Sequence, residues 1–233
     1  MLRLNSTDFV SAAPPAELGD DEIHLWIFPQ SSSVSGARPD AAALLRATLA
    51  AYLGADTADL RIERDSAGKP FLADSALQFN LSHSGGRLLL GLSRAQPLGV
   101  DIECGLRRRP FLDIAQRYFT ADEAAALAAL PAERLAHGFL ELWSAKEAVL
   151  KAIGRGIAFG LDRIGFALDD AGVVQGLNRL DEEAGTPAQW RLVRLALEGA
   201  VGAIAWRGPD MELRAFAAAG TPGFATIRTS CAS

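Results

Sequence analysis

Hydrophobic and polar positions along the chain switch between a period of two and a period near 3.6, and the switches divide it into elements. "IHLWIF", from Ile23 to Phe28, alternates as a strand and is broken by "QSSSVSGARP". Asp40 stands where an N-cap belongs for the helix "AAALLRATLAAYLG", which ends at Gly54. "LRIER" reads as a short strand and "DSAGKP" as a turn. "LQFNLSHS", "RLLLGLSR" and "LGVDIE" read as three strands joined by Gly- and Pro-containing turns. "TADEAAALAAL" opens a helix with Thr120 and Glu123 in the spacing of a capping box. A longer helix follows, with Phe139, Leu142, Val149, Leu150 and Ile153 on one face and a stop at Gly154. Beyond it, "RIGFALDD", "AQWRLVRLAL" and "GAVGAIAWRG" are strand-like. Helix then strands, twice over, predicts an α+β fold of two similar halves, residues 23–105 and 106–220. A loose leader at 1–22 and a disordered tail at 221–233 flank them.

Composition narrows the classes. The 233 residues are 49% hydrophobic and 22% charged, ordinary values for a globular chain with a real core. A formal net charge of −5 removes the overall electrostatic case for nucleic acid. Cys104 and Cys231 lie in contexts that suggest neither a disulfide framework nor a thiolate metal site. The stretch "MLRLNSTDFVSAAPPAELGDDE" has no continuous apolar segment, and no run approaches spanning length, so the expectation is a cytoplasmic chain without a membrane partner.

Several familiar chemistries are absent from the pattern. "SAGKPF" has neither the spacing nor the hydroxyl of a phosphate-binding loop, and "GRGIAFG" follows a helix rather than a strand. "GLSRA" ends on Ala95 and is not a nucleophile elbow. His24, His83 and His137 are too scattered for a zinc motif.

What remains is acidic and oxygen-rich. Asp101 and Glu103 sit two apart on a strand and project from one face, with Val100 and Ile102 on the other. Two carboxylates on one face repel unless a cation lies between them or water screens them. A hard divalent ion fits, and so do two solvated acids on an exposed face. On "FNLSHSGG", Asn80, Ser82 and Ser84 share one face and His83 the other. That is a phosphate-binding strand end or a polar edge with a satisfied histidine. Lys69 lies in a turn stiffened by Pro70, and Arg107, Arg108 and Arg109 form a basic run. Trp143, Glu147 and Lys151 recur at i, i+4 and i+8 on the long helix, a second row beside its apolar stripe.

The order GKP, FNLSHSG, LGVDIE and WSAKEAVLKAIGRG, from about Ala37 to Ile157, resembles the 4′-phosphopantetheinyl transferase family in its larger, pseudo-dimeric type. The resemblance implies two similar halves with the active site in the cleft between them. It implies transfer of the phosphopantetheine arm of coenzyme A, the co-substrate, to a serine of an apo acyl or peptidyl carrier protein. 3′,5′-ADP is released, and the reaction depends on Mg²⁺, with Mn²⁺ as a substitute. Asp101, Glu103 and Glu147 are then metal ligands, and Glu147, Lys151 and Asp101 the catalytic groups. Lys69, Ser82, His83, Lys151 and Arg38 fall on coenzyme A phosphates. Lys146 is expected at the site edge, Trp143 in packing, and the arginine run on a solvated face or at the carrier-docking rim. A monomer is the expectation. A coenzyme A or carrier-binding module that has lost transfer is the alternative, and the retained acids speak against it.

Overall fold

The computed structural model describes residues 1–14, 17–29, 41–94, 96–105 and 109–218. Arg38, Asp40, Arg107, Arg108 and the tail expected at 221–233 lie outside them.

The strands are β1 (Leu2–Asn5), β2 (Val10–Ala12), β3 (Glu22–Pro29), β4 (Ile62–Arg64), β5 (Pro70–Leu72), β6 (Gln78–Ser84), β7 (Arg87–Ser93) and β8 (Leu98–Cys104). After them come β9 (Ile164–Leu168), β10 (Val174–Leu180), β11 (Trp190–Leu197), β12 (Ala200–Arg207) and β13 (Glu212–Ala218). The helices are α1 (Ala41–Leu53), α2 (Phe111–Tyr118), α3 (Ala121–Ala128) and α4 (Ala132–Ile153). One sheet runs β1-β11-β12-β8, the other β2-β13-β3-β7-β6, and β9-β10 and β4-β5 are separate hairpins. The fold is mixed α+β, as expected.

Period-two alternation builds the layers. On β3, Ile23, Leu25 and Ile27 enter the core between the two sheets, whereas Trp26 and Phe28 enter the core beneath α1. On β12, Ile204 and Trp206 face between the sheets, and Val201, Ala203 and Ala205 face the helical layer of α2, α3 and α4. Val100 and Ile102 of β8 point into the inter-sheet core, which turns Asp101 and Glu103 toward α4. The apolar stripe of α4 enters the helical core as its spacing predicts, and the helix ends on Gly154 at φ +81°. It starts seven residues before Phe139, at Ala132 after Pro131. The capping box of α3 is present, Thr120 and Glu123 bonding reciprocally.

Each sheet takes a strand from the other part of the chain: β8 lies beside β12, and β13 beside β3. Within the leader expected at 1–22, two segments are built into the sheets. β1 pairs in parallel with β11, β2 pairs in parallel with β13, and Phe9 between them is wholly buried among the inter-sheet side chains. Strands of four and three residues are too short to show alternation, so this clasp is silent in the pattern. α2, β10 and β13 are also absent from the sequence reading.

The opposite edges meet differently. β6 and β8, the last strands of their sheets, share no backbone ladder. The N–H groups of Val100, Ile102 and Cys104 donate to side chains of Asn80, Ser82 and Ser84, at 2.8, 3.4 and 3.1 Å. The polar face of β6 therefore satisfies the free edge of β8.

Two outcomes test these edges. Phe9→Ala should destabilise by about 3–5 kcal/mol, the cost of emptying a packed aromatic site; a change near zero in denaturant unfolding would return residues 1–12 to a loose leader. Asn80→Ala strands the buried Val100 N–H and should cost about 1–3 kcal/mol by the same measurement, whereas an exposed polar edge would tolerate it.

Candidate active site

The site starts from close packing. A Cβ on Gly99 would lie 2.0 Å from the Ala148 carbonyl oxygen and 2.5 Å from the Ala152 nitrogen, so only glycine lets β8 press this closely against α4. The approach sets the helical row against the strand acids. Lys151 Nζ donates to Asp101 Oδ1 at 2.7 Å and to the Val100 carbonyl at 3.1 Å. From the other side, Ser82 Oγ donates to the same Asp101 oxygen at 2.7 Å, and Ser84 Oγ to Glu103 Oε2 at 3.2 Å. Each carboxylate of β8 is thus held by one hydroxyl of β6.

The charges are not balanced. Glu147 has its carboxyl pushed above the usual range, first by burial and then by Asp101, with Glu103 adding to the rise and Lys151 opposing it. Asp101 Oδ2 and Glu147 Oε1 are buried without a hydrogen-bond partner. Orphaned buried oxygens are rare, because each keeps its desolvation cost. As they stand, no group of three or more His, Cys, Asp or Glu side chains among the described residues is gathered tightly enough to hold an ion. The donor chemistry fits a hard divalent cation all the same: these two orphans are carboxylate oxygens in mutual electrostatic reach, and of the carboxylate oxygens Lys151 hydrogen-bonds Asp101 Oδ1 alone.

A polar cleft of about 310 Å³ opens beside these acids, lined among others by His83, Ser84, Glu103, Cys104 and Arg109. An adjoining hollow of about 330 Å³ shares Glu103, Gly105 and Leu140 and is walled by Leu197, Ala200 and Val201. Hollows of about 480 Å³ against β10 and β11, about 770 Å³ beside α1 and about 360 Å³ at the end of β10 include none of these carboxylates.

The remaining candidates separate. His83 is exposed on the face of β6 opposite the seam residues and borders the polar cleft. Ser82 is buried in the seam. Lys69 is half-buried and donates to the Lys151 and Leu98 carbonyls at 2.7 and 3.3 Å, and burial lowers its pKa. Lys146 does not reach the site edge. It is fully buried on the far side of α4, paired with Glu123 at 2.8 Å, because the helical twist turns it away from Glu147. Trp143 stacks on Phe139, their centroids 5.9 Å apart, in the packing role expected of it. Cys104 lines the polar cleft with its thiol pKa raised by burial. The sequence reading missed Asn80 and Ser84 as seam residues. Their signal was the polar alternation N-x-S-x-S, which needs a partner edge to be interpreted.

Comparison with known proteins adds an independent line. A family model described as the 4′-phosphopantetheinyl transferase superfamily matches residues 97–205, the stretch that carries β8 and α4. The 4′-phosphopantetheinyl transferase HetI of Nostoc sp. is 32% identical over 185 residues, covering 66% of this chain and 78% of that protein. Psf-1 of Bacillus pumilus is 41% identical over 112 residues, 47% of this chain and 46% of psf-1. Sfp of Bacillus subtilis is 34% identical over 133 residues, 56% of this chain and 58% of Sfp. Both Bacillus proteins also bear the name 4′-phosphopantetheinyl transferase, and the chain spans about half the length of each. The long motifs, the β8–α4 geometry and the extent of the HetI match agree: the chain belongs to the 4′-phosphopantetheinyl transferase superfamily.

Proposed function

We propose that this chain transfers the 4′-phosphopantetheine arm of coenzyme A to a serine of an apo acyl or peptidyl carrier protein, in a Mg²⁺-dependent reaction that also accepts Mn²⁺. The observation that carries this reading is the meeting of Asp101 and Glu103 from β8 with Glu147 and Lys151 from α4, two buried carboxylate oxygens among them lacking any partner. Asp101, Glu103 and Glu147 would hold the divalent ion, which when bound neutralises the pyrophosphate and polarises its phosphorus.

The chain's own groups supply the rest. Lys151, with two of its three N–H bonds on protein oxygens, turns the third toward a pyrophosphate oxygen as a point charge. Glu147, its pKa raised, is a stronger base than an ordinary carboxylate and takes the proton from the carrier serine. The serine oxygen forms a bond to the phosphorus nearer the pantetheine. The bond from that phosphorus to the bridging oxygen breaks, and 3′,5′-ADP leaves with the electron pair. Arg109 offers positive charge, and His83 an imidazole N–H, to coenzyme A phosphates along the polar cleft. Ser82 and Lys69, which the resemblance puts on those phosphates, act in this reading through the groups they hold, Asp101 and the end of α4. Arg38 is retained as a nucleotide contact from the resemblance alone.

We propose a monomer, as the resemblance implies. Among the described residues no helix is long and apolar enough to cross a membrane. We place the reaction in the cytoplasm, where coenzyme A and apo carriers meet.

Incubation with coenzyme A, Mg²⁺ and a panel of apo carrier proteins, read by intact mass, tests the reading. The expected outcome is a phosphopantetheine adduct that Asp101→Ala, Glu103→Ala and Glu147→Ala each abolish or severely reduce in folded protein. Near-normal rates in all three variants at limiting Mg²⁺ would remove the proposed ion site.

The raised pKa of Glu147 gives a second outcome. A carboxyl raised on folding binds a proton that the unfolded chain releases. Its stabilisation is full below the ordinary carboxylate range and is lost as pH rises to the folded value. In chelator, Glu147→Gln should therefore melt above the wild type at neutral pH, by roughly 2–4 °C for each kcal/mol relieved, and lose that advantage in acid. Mg²⁺ should raise the melting point of the wild type and leave the variant unmoved. Identical pH profiles would show that Glu147 carries no such strain.

A further inference from the structure

Lys146 and Glu147 are neighbours in sequence and opposite in fate. The carboxylate faces the site, and the ammonium is shut inside the helical core with a relative exposure of 0%. An α-helix turns about 100° per residue, so the direction of one side chain fixes that of the next.

Every N–H of the Lys146 ammonium has an acceptor. Glu123 Oε2 lies at 2.8 Å, the Leu161 carbonyl at 2.8 Å, and the Ile164 carbonyl takes the third. The charge also lies 4.9 Å from the centre of the Phe119 ring. Glu123 is equally committed, its relative exposure only 1%, accepting from the Thr120 N–H at 2.9 Å and the Phe166 N–H at 2.8 Å. The pair ties α4 to the start of α3 and the start of β9.

Stability alone does not explain such a pair. Taking two charges out of water costs about as much as their attraction returns, and well-packed apolar side chains of the same volume stabilise as well or better. What apolar packing lacks is direction. Three hydrogen bonds on one ammonium specify both the rotation and the axial position of α4 at the residue beside Glu147, one turn before Lys151.

We infer that Glu123 and Lys146 are positioning residues, and that their buried ion pair sets the rotation of α4 that aims Glu147 and Lys151 at Asp101. The inference rests on the transfer reaction proposed above. Neither residue touches the acids of β8, so their effect on rate passes through the helix.

The test uses the full chain with coenzyme A, Mg²⁺ and an apo carrier protein that the wild type modifies. Lys146→Met alone leaves the Glu123 charge unpaired and should fold poorly, so the informative variant is Glu123→Gln with Lys146→Met, which removes both charges. As a matched control, Leu127→Ala empties a fully buried position on α3 in the same core without altering any polar contact. The double variant should remain folded and bind coenzyme A within about twofold of the wild type by calorimetry. Its kcat should fall about 10–100-fold, the scale expected when reacting groups shift by up to an ångström, while the KM for coenzyme A holds. Leu127→Ala, brought to a similar melting point, should keep kcat within about twofold. A folded double variant with wild-type kcat would overturn the inference, as would an equal loss of kcat in Leu127→Ala. A wild type that modifies no carrier would overturn the proposed function, and this inference with it; a wild type that transfers confines any failure to the positioning role.

Discussion

The outer edge of β8 is the constraint on which the site depends. An edge strand presents a row of N–H and C=O groups that must be bonded or wet, and burial beside α4 removes the water. A backbone ladder with β6 would satisfy the row but would fuse the two sheets into one. Side chains do it instead. Asn80, Ser82 and Ser84 take the N–H groups, while Lys69 and Lys151 take the Leu98 and Val100 carbonyls. The hydroxyls and one of the lysines then have bonding capacity left over, and Asp101 and Glu103 use it. A structural requirement of a sheet edge and the orientation of two acids are met by the same atoms.

The other buried acids of the chain are compensated differently from this cluster. Glu141 is closed by a bidentate pair with Arg194 at 2.6 and 2.8 Å, and Glu123 by Lys146 and two backbone N–H groups. Both acids are fully satisfied. Asp101 and Glu147 are not: each keeps a buried oxygen without a partner, and Asp101 adds to the rise that burial imposes on the Glu147 pKa. A chain able to satisfy buried acids on α3 and elsewhere on α4 leaves these under-compensated, which accords with the proposed site, where an ion and phosphates would supply the missing charge.

Alternation and helical period made much of this legible. The inward Val100 and Ile102, the outward Asp101 and Glu103, the α4 stripe and its Gly154 stop all follow from local spacing. The order of the motifs added the family. What stayed hidden depends on long-range contact. Lys69 in its turn looks solvated until the end of α4, 82 positions away, supplies a carbonyl. Lys146 falls at a helical angle that allows either the site edge or the core, and only the position of Glu123 decides between them. The clasp of β1 and β2 is held by two sheets that the short segments themselves do not predict.

The two ends of the sandwich explain where the site can be. At one edge the chain itself crosses from β1 to β2 and Phe9 fills the gap, so that edge is covalently closed and apolar. At the other edge the sheets are joined only through polar side chains. That is the place where carboxylates can stand at a buried boundary with hydroxyls and lysines to orient them. α4 reaches this boundary because Gly99 removes the side chain that would hold it off. Close approach also makes the arrangement exacting. With backbone against backbone at that contact, a rotation of the helix has no soft packing to absorb it and moves Glu147 and Lys151 directly. A helix so placed needs a directional anchor on its far side, and the Lys146 ammonium with its three acceptors is the group that provides one.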